Sequence, residues 1–90
     1  MSNNLKNHNY YNKIIESMRE IAEEEFRDYS QPLAINIDLG SLLDHSEEYL
    51  LNFITIVEKK SKDTLFLKTS IIFDNKIIAC ATAVWIKEND

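Results

Sequence analysis

Only one stretch of this chain has the period of a helix, and the sequence beyond it reads as strand. Between Tyr10 and Tyr29, YYNKIIESMREIAEEEFRDY, residues Tyr11, Ile14, Ile15, Met18, Ile21, Ala22, Phe26 and Tyr29 fall on one arc at about 100° per residue. Lys13, Glu20, Glu24 and Arg27 lie opposite. No Gly or Pro interrupts the stretch, and Gln31-Pro32 bars its continuation. Asn7 or Asn9 is the expected N-cap, with residues 1–9 a polar, flexible tail before it. A lone amphipathic helix has to bury its stripe, and only strands are left to bury it.

The strands are legible by alternation. In Ala34–Leu39 the residues Ile35, Ile37 and Leu39 take one face and Asn36 and Asp38 the other, up to Gly40. The connection over 41–48 leaves open whether Leu42-Leu43 forms a helical turn or extends the strand. Tyr49–Glu58, YLLNFITIVE, is apolar on both faces, as a strand covered on each side would be. Thr64–Phe73 places Leu65, Leu67, Ile71 and Phe73 on one side, and Asp74-Asn75 suits a two-residue hairpin into Lys76–Lys87. There, Ile77, Ala79, Ala81, Ala83 and Trp85 form one row, whose small residues allow a helix to approach closely. The order predicts an α+β fold, one long helix packed on an antiparallel sheet of about four strands, in a single domain over 1–90. Cys80, Val84 and Ile86 leave the second face apolar in part, and a homodimer is the expected cover.

Composition removes several classes of function. Fifteen acidic against ten basic side chains give a net charge of −5, which argues against a duplex nucleic-acid binder with a broad cationic face. The single cysteine, Cys80, excludes an internal disulfide, and with only His8 and His45 there is no zinc spacing. No metal or cofactor is expected. The chain carries no signal-like hydrophobic core and no run of about 18 apolar residues, so neither standard secretion nor membrane spanning is expected. A reducing cytoplasmic setting is the expectation.

The segments Leu5-Lys6-Asn7-His8-Asn9-Tyr10-Tyr11 and Ile14-Ile15-Glu16-Ser17-Met18-Arg19, with the closing FLKTSIIFDNKIIACATAVW, resemble hotdog-fold acyl-CoA thioesterases of the 4-hydroxybenzoyl-CoA type. That family leads into its central helix with His-x-Asn-Asn-x-Tyr-Tyr, followed by a Glu and an Arg three residues later. Asn7, Tyr11 and Glu16 match position by position, whereas Leu5 stands at the family's His and His8 at its second Asn. The family's first strand, which carries a catalytic aspartate in one subgroup, would lie before Leu5, so the resemblance is to a hotdog unit shortened at the N-terminus. It implies an acyl-CoA thioesterase-like protein that binds or hydrolyses an acyl thioester. A catalytically silent hotdog-like scaffold for self-association or protein contacts is the alternative, and a cystatin-like or nuclear-transport-factor-like helix-plus-meander fold shares the element order.

Thioester hydrolysis needs donors for the carbonyl and a carboxylate for water or direct attack. Free amides near Asn9 to Tyr11, at the helix N-terminus, are the expected donors, and Glu16 is the expected carboxylate. Glu16 sits about 140° from Tyr11, outside the apolar arc, where a solvated glutamate is the plainer reading. Glu25 falls inside the arc. Buried there it would be a second functional candidate, though in the last turn it can reach past the sheet edge to solvent. Asn7, Tyr10 and Tyr11 are candidate substrate contacts, and Lys59, Lys60 and Lys62 candidate ligands for coenzyme A phosphates or simply a solvated turn. Cys80, among apolar neighbours, reads as buried and structural, and Trp85 and Phe66 as core or interface aromatics.

Overall fold

In the computed structural model the backbone is described for residues 2–42 and 50–88, and side chains for 10–42 and 50–88. One helix, α1 (Ser2–Phe26), precedes four strands, β1 (Ser30–Asp38), β2 (Asn52–Lys60), β3 (Thr64–Phe73) and β4 (Lys76–Lys87). The strands form a single antiparallel sheet in the order β1-β4-β3-β2. Strands β2, β3 and β4 form a meander, while β1 joins beside β4, so both β1 and β2 are edge strands. The coarse expectation of one helix on four antiparallel strands is the fold observed.

The two connections that shape the sheet arise from local chemistry. Asp74 and Asn75 both take positive φ, 51° and 63°, which is the conformation a two-residue hairpin with native twist demands. The helix ends on Arg27 at φ 56°, and the Arg27 amide bonds back to the Glu23 carbonyl at 2.8 Å, closing the last turn. Pro32, which has no N–H to give, sits in edge strand β1 next to a bulge that leaves Leu33 exposed.

The core is built from Tyr10, Ile14, Met18 and Ala22 of α1, Leu65, Leu67 and Ile71 of β3, and Ala79, Ala81, Ala83 and Trp85 of β4, closed by Leu42 and Leu51 from the connection. Pairing sets large beside small. Leu67, Thr69 and Ile71 lie opposite Ala83, Ala81 and Ala79, and Ile35 and Ile37 of β1 pair with Ala83 and Ala81 from the other side. The small row therefore leaves depth for Ile14 and Met18. The Trp85 indole is fully buried, with its Nε1 donating to Met18 Sδ at 3.4 Å and the Arg19 guanidinium 5.4 Å from its ring centroid.

Several expectations are corrected. The helix begins at Ser2, so neither Asn7 nor Asn9 is its N-cap. Tyr10, not Tyr11, is buried, and Tyr11 and Tyr29 are exposed. A bulge between Ile71 and Ile72 shifts the β3–β4 register, so that Ile77 leaves the alanine row for solvent while Ile78 packs against the core. Strand β2 is covered on one face only: Phe53 and Val57 meet the core, whereas Ile54 and Ile56 are 50% and 53% exposed. Leu43, His45 and Tyr49 lie outside the described residues.

Candidate functional site

Along the flank of α1 that faces edge strand β2, a shallow groove of about 480 Å³ is lined by Lys13, Glu16, Ser17, Glu20, Phe53 and Thr55, with Ile21 and Ile54 completing its wall. Its placement reflects two periodicities. On α1, Lys13, Ser17 and Ile21 are one i, i+4 row beside the buried ridge, with Glu16 and Glu20 on the row outside it. On β2, the core-facing residues Phe53 and Thr55 alternate with outward Ile54. The result is a polar helical wall over an aromatic and aliphatic floor.

The groove is tied together by hydroxyls. The Ser17 and Thr55 oxygens are 2.7 Å apart, and Thr55 lies 2.6 Å from the Thr69 hydroxyl on β3, which is fully buried. Three hydroxyl groups thus form a chain from the groove into the core, joining α1 to the sheet interior. Glu16 is exposed beside Ser17. Among the described residues of the lining, Lys13 is the cation and Glu16 and Glu20 are the anions.

The remaining candidates do not converge on this groove. Tyr10 is 2% exposed and belongs to the core, so it has no surface to offer a ligand. Tyr11 stands on the opposite flank of the helix, beside Pro32, Leu33 and Ile35 of β1. The amides of Asn9 to Tyr11, expected to be free, lie well inside α1, where the helical pattern commits them to carbonyls four residues earlier. The side chains of Asn7 and His8 lie outside the described residues. Glu25 is exposed in the last helical turn, and its Oε1 accepts from Lys60 Nζ at 3.3 Å. The lysines separate: Lys59 lies 5.9 Å from the Phe66 ring centroid, Lys60 reaches the helix at Glu25, and Lys62 is exposed in the β2–β3 turn. They are three separate cations on the surface, not a joint phosphate cradle.

Cys80 is on the sheet face away from the helix, opposite Asp38 and Ser70, the face expected for it, but it is half-buried rather than buried. Phe66 is on that same face, part-exposed, and lines a second hollow of about 220 Å³ with Ala34, Asn36, Glu58, Thr82 and Val84. Among the described residues no three His, Cys, Asp or Glu side chains gather as a metal site, and no helix is long and apolar enough to cross a membrane. The Ser17–Thr55–Thr69 chain had no distinct signature in the sequence. Its members belong to three elements, and each alone is an ordinary helix or strand residue.

No protein-family model, curated protein or solved structure matches this chain.

Proposed function

We propose that the protein is a hotdog-like, acyl-CoA thioesterase-like domain that binds an acyl thioester in the α1–β2 groove and hydrolyses it with Glu16 as general base. The observation that carries this reading is the joint lining of one groove by a carboxylate, Glu16, two hydroxyls, Ser17 and Thr55, and the apolar side chains of Ile21 and Phe53. An acyl chain needs the apolar pair. The Glu16 carboxylate would take a proton from the attacking water, the carbonyl carbon would gain the hydroxyl, and the coenzyme A thiolate would leave. Lys62, exposed in the turn beyond the end of β2, is the candidate cation for a nucleotide phosphate. The single long helix laid on the sheet, and the addition of β1 beyond the meander rather than next to β2, support a hotdog-like arrangement over a plain helix-plus-meander fold.

The test is release of free thiol from short, long and aromatic acyl-CoA substrates, in a Cys80→Ser background that removes the protein's own thiol. Turnover above the uncatalysed rate is expected, and Glu16→Gln lowers it by about 100-fold or more, the typical weight of a general base. Turnover that survives Glu16→Gln intact would sink the residue assignment. No turnover on any substrate favours a second reading, a catalytically silent scaffold that associates with a second copy of itself. That reading rests on the exposed Ile54, Ile56 and Phe66 of the outer sheet face and on the edge of β2, unpaired among the described residues.

A further inference from the structure

We infer that Ser17 and Thr55 together present one hydrogen-bond donor to the α1–β2 groove, and that it selects a neutral carbonyl group on the ligand. The inference deepens the thioester reading, because it supplies the carbonyl donor that the helix N-terminus does not. It is a matter of counting hydrogens. Each hydroxyl has one to give. Thr69 is 0% exposed, and Thr55 is its one hydrogen-bond partner among the described residues. Were Thr69 to accept from Thr55, its own hydrogen would be buried with nothing to receive it, the costly arrangement for a donor. Thr69 therefore donates to Thr55.

Two hydrogens then remain on Ser17 and Thr55, and the contact between them consumes one. The other has to leave the pair. Neither residue has a further acceptor among the described residues, and both line the groove, so the surplus hydrogen points into it. Whether it sits on Ser17 or Thr55, the groove receives one donor. Its strength is raised by the chain behind it, because each hydroxyl that accepts a hydrogen bond becomes a better donor. The Ser17 hydroxyl is also held in place. A serine within a helix ordinarily bonds back to its own preceding turn, but Ser17 is held across to β2 instead.

The surroundings decide what the donor meets. Among the described residues of the lining Glu16 and Glu20 outnumber Lys13, so a carboxylate or phosphate is repelled there, whereas a neutral carbonyl meets no such penalty. Phe53 and Ile21 adjoin and accept an apolar tail. The chemical class is an uncharged acyl carbonyl, as in a thioester or ester, carried on an aliphatic chain.

The test uses the full chain labelled with nitrogen-15 and two non-hydrolysable relatives of octanoyl-CoA, one a ketone with methylene for sulfur, the other a thioether with methylene for the carbonyl. Amide shifts of Ser17 and Phe53 to Thr55 report binding. The native protein is expected to bind the ketone roughly tenfold more tightly, the worth of one good hydrogen bond. The triple variant S17A/T55V/T69V removes the whole chain without orphaning any member, and is expected to bind both compounds equally. Ser17→Ala alone is expected to keep most of the preference, because Thr55 still accepts from Thr69 and turns its own hydrogen outward. Equal binding of the two compounds by the native protein overturns the donor while leaving the acyl-CoA reading standing, and so does a preference that persists in the triple variant. If neither compound binds, the acyl-CoA reading falls and 2-heptanone decides the donor. Groove shifts with this ketone in the native protein that vanish in the triple variant uphold it, and their absence overturns it.

Discussion

Single residues of this chain answer to backbone geometry and to hydrogen-bond satisfaction in ways that mutation exposes. Gly40 takes φ +49°, and a Cβ placed there would run into the Ile78 carbonyl oxygen, the same oxygen that accepts from the Ser41 amide. Gly40→Ala should therefore cost about 2 kcal/mol or more, combining left-handed strain with a backbone clash, as read from the shift of a urea unfolding midpoint. Ser30 presents the opposite case. Its Oγ is buried with no partner among the described residues, so Ser30→Ala should be neutral or raise stability by up to about 1 kcal/mol in the same experiment. A clear loss would mean that the hydroxyl is satisfied in solution.

The helical wheel went astray at two residues for one reason. The buried positions Tyr10, Ile14, Met18 and Ala22 form a single i, i+4 ridge, and such a ridge winds by about 40° at each step along the helix. A wheel compresses the whole length onto one circle and loses that winding. Tyr11 thereby shares an angle with residues buried a few turns later, yet it stands on the β1 flank. Glu25 shares an angle with Ile14 and Met18, yet by the last turn the buried ridge has moved on and Glu25 meets Lys60 at the surface.

At the level of elements, the features that are local in sequence were legible and those set by long-range pairing were not. The Asp74-Asn75 turn and the alanines of β4 were readable because the turn chemistry and the alternation are contained within a few residues. The pairing of β1 with β4 was not, since Ile35 opposite Ala83 joins residues far apart in the chain with no local mark of it. Nor was the bulge that turns Ile77 outward, because both Ile77 and Ile78 suit either face. The groove suffers from the same difficulty, as its hydroxyl chain draws on α1, β2 and β3 at once. Packing between α1 and β4 can be tested directly. Ala81 is 1% exposed beneath the helix, between Thr69 on β3 and Ile37 on β1, so Ala81→Leu has to lift the helix or force strained rotamers. A loss of about 1–3 kcal/mol in chemical denaturation is expected, whereas an unchanged midpoint would show that the small row is not what sets the helix height.

For the whole molecule, the asymmetry of the sheet is what matters. One face is filled by the helix, while the other exposes Ile54 and Ile56 on β2 beside Phe66 on β3, and a domain of this length buries a smaller share of its surface than a larger one. Among the described residues the same strand is an unpaired edge, the kind of strand that natural sheets shield with charge or with a partner. Lys59 and Lys60 lie at one end of β2, but its middle, Ile54-Thr55-Ile56, carries no charge. A second copy related by a two-fold axis would set this apolar strip against its own equivalent without placing like charges opposite one another. Light scattering at micromolar concentration is therefore expected to give twice the chain mass. Ile54→Lys/Ile56→Lys should weaken association by about tenfold or more while the circular dichroism of the folded chain stays unchanged, because both substitutions point away from the helix and the core. A native chain that scatters as a monomer would leave the outer face without this role. A variant that remains dimeric would instead move the contact to the β1 edge, where Leu33 is exposed beside the bulge.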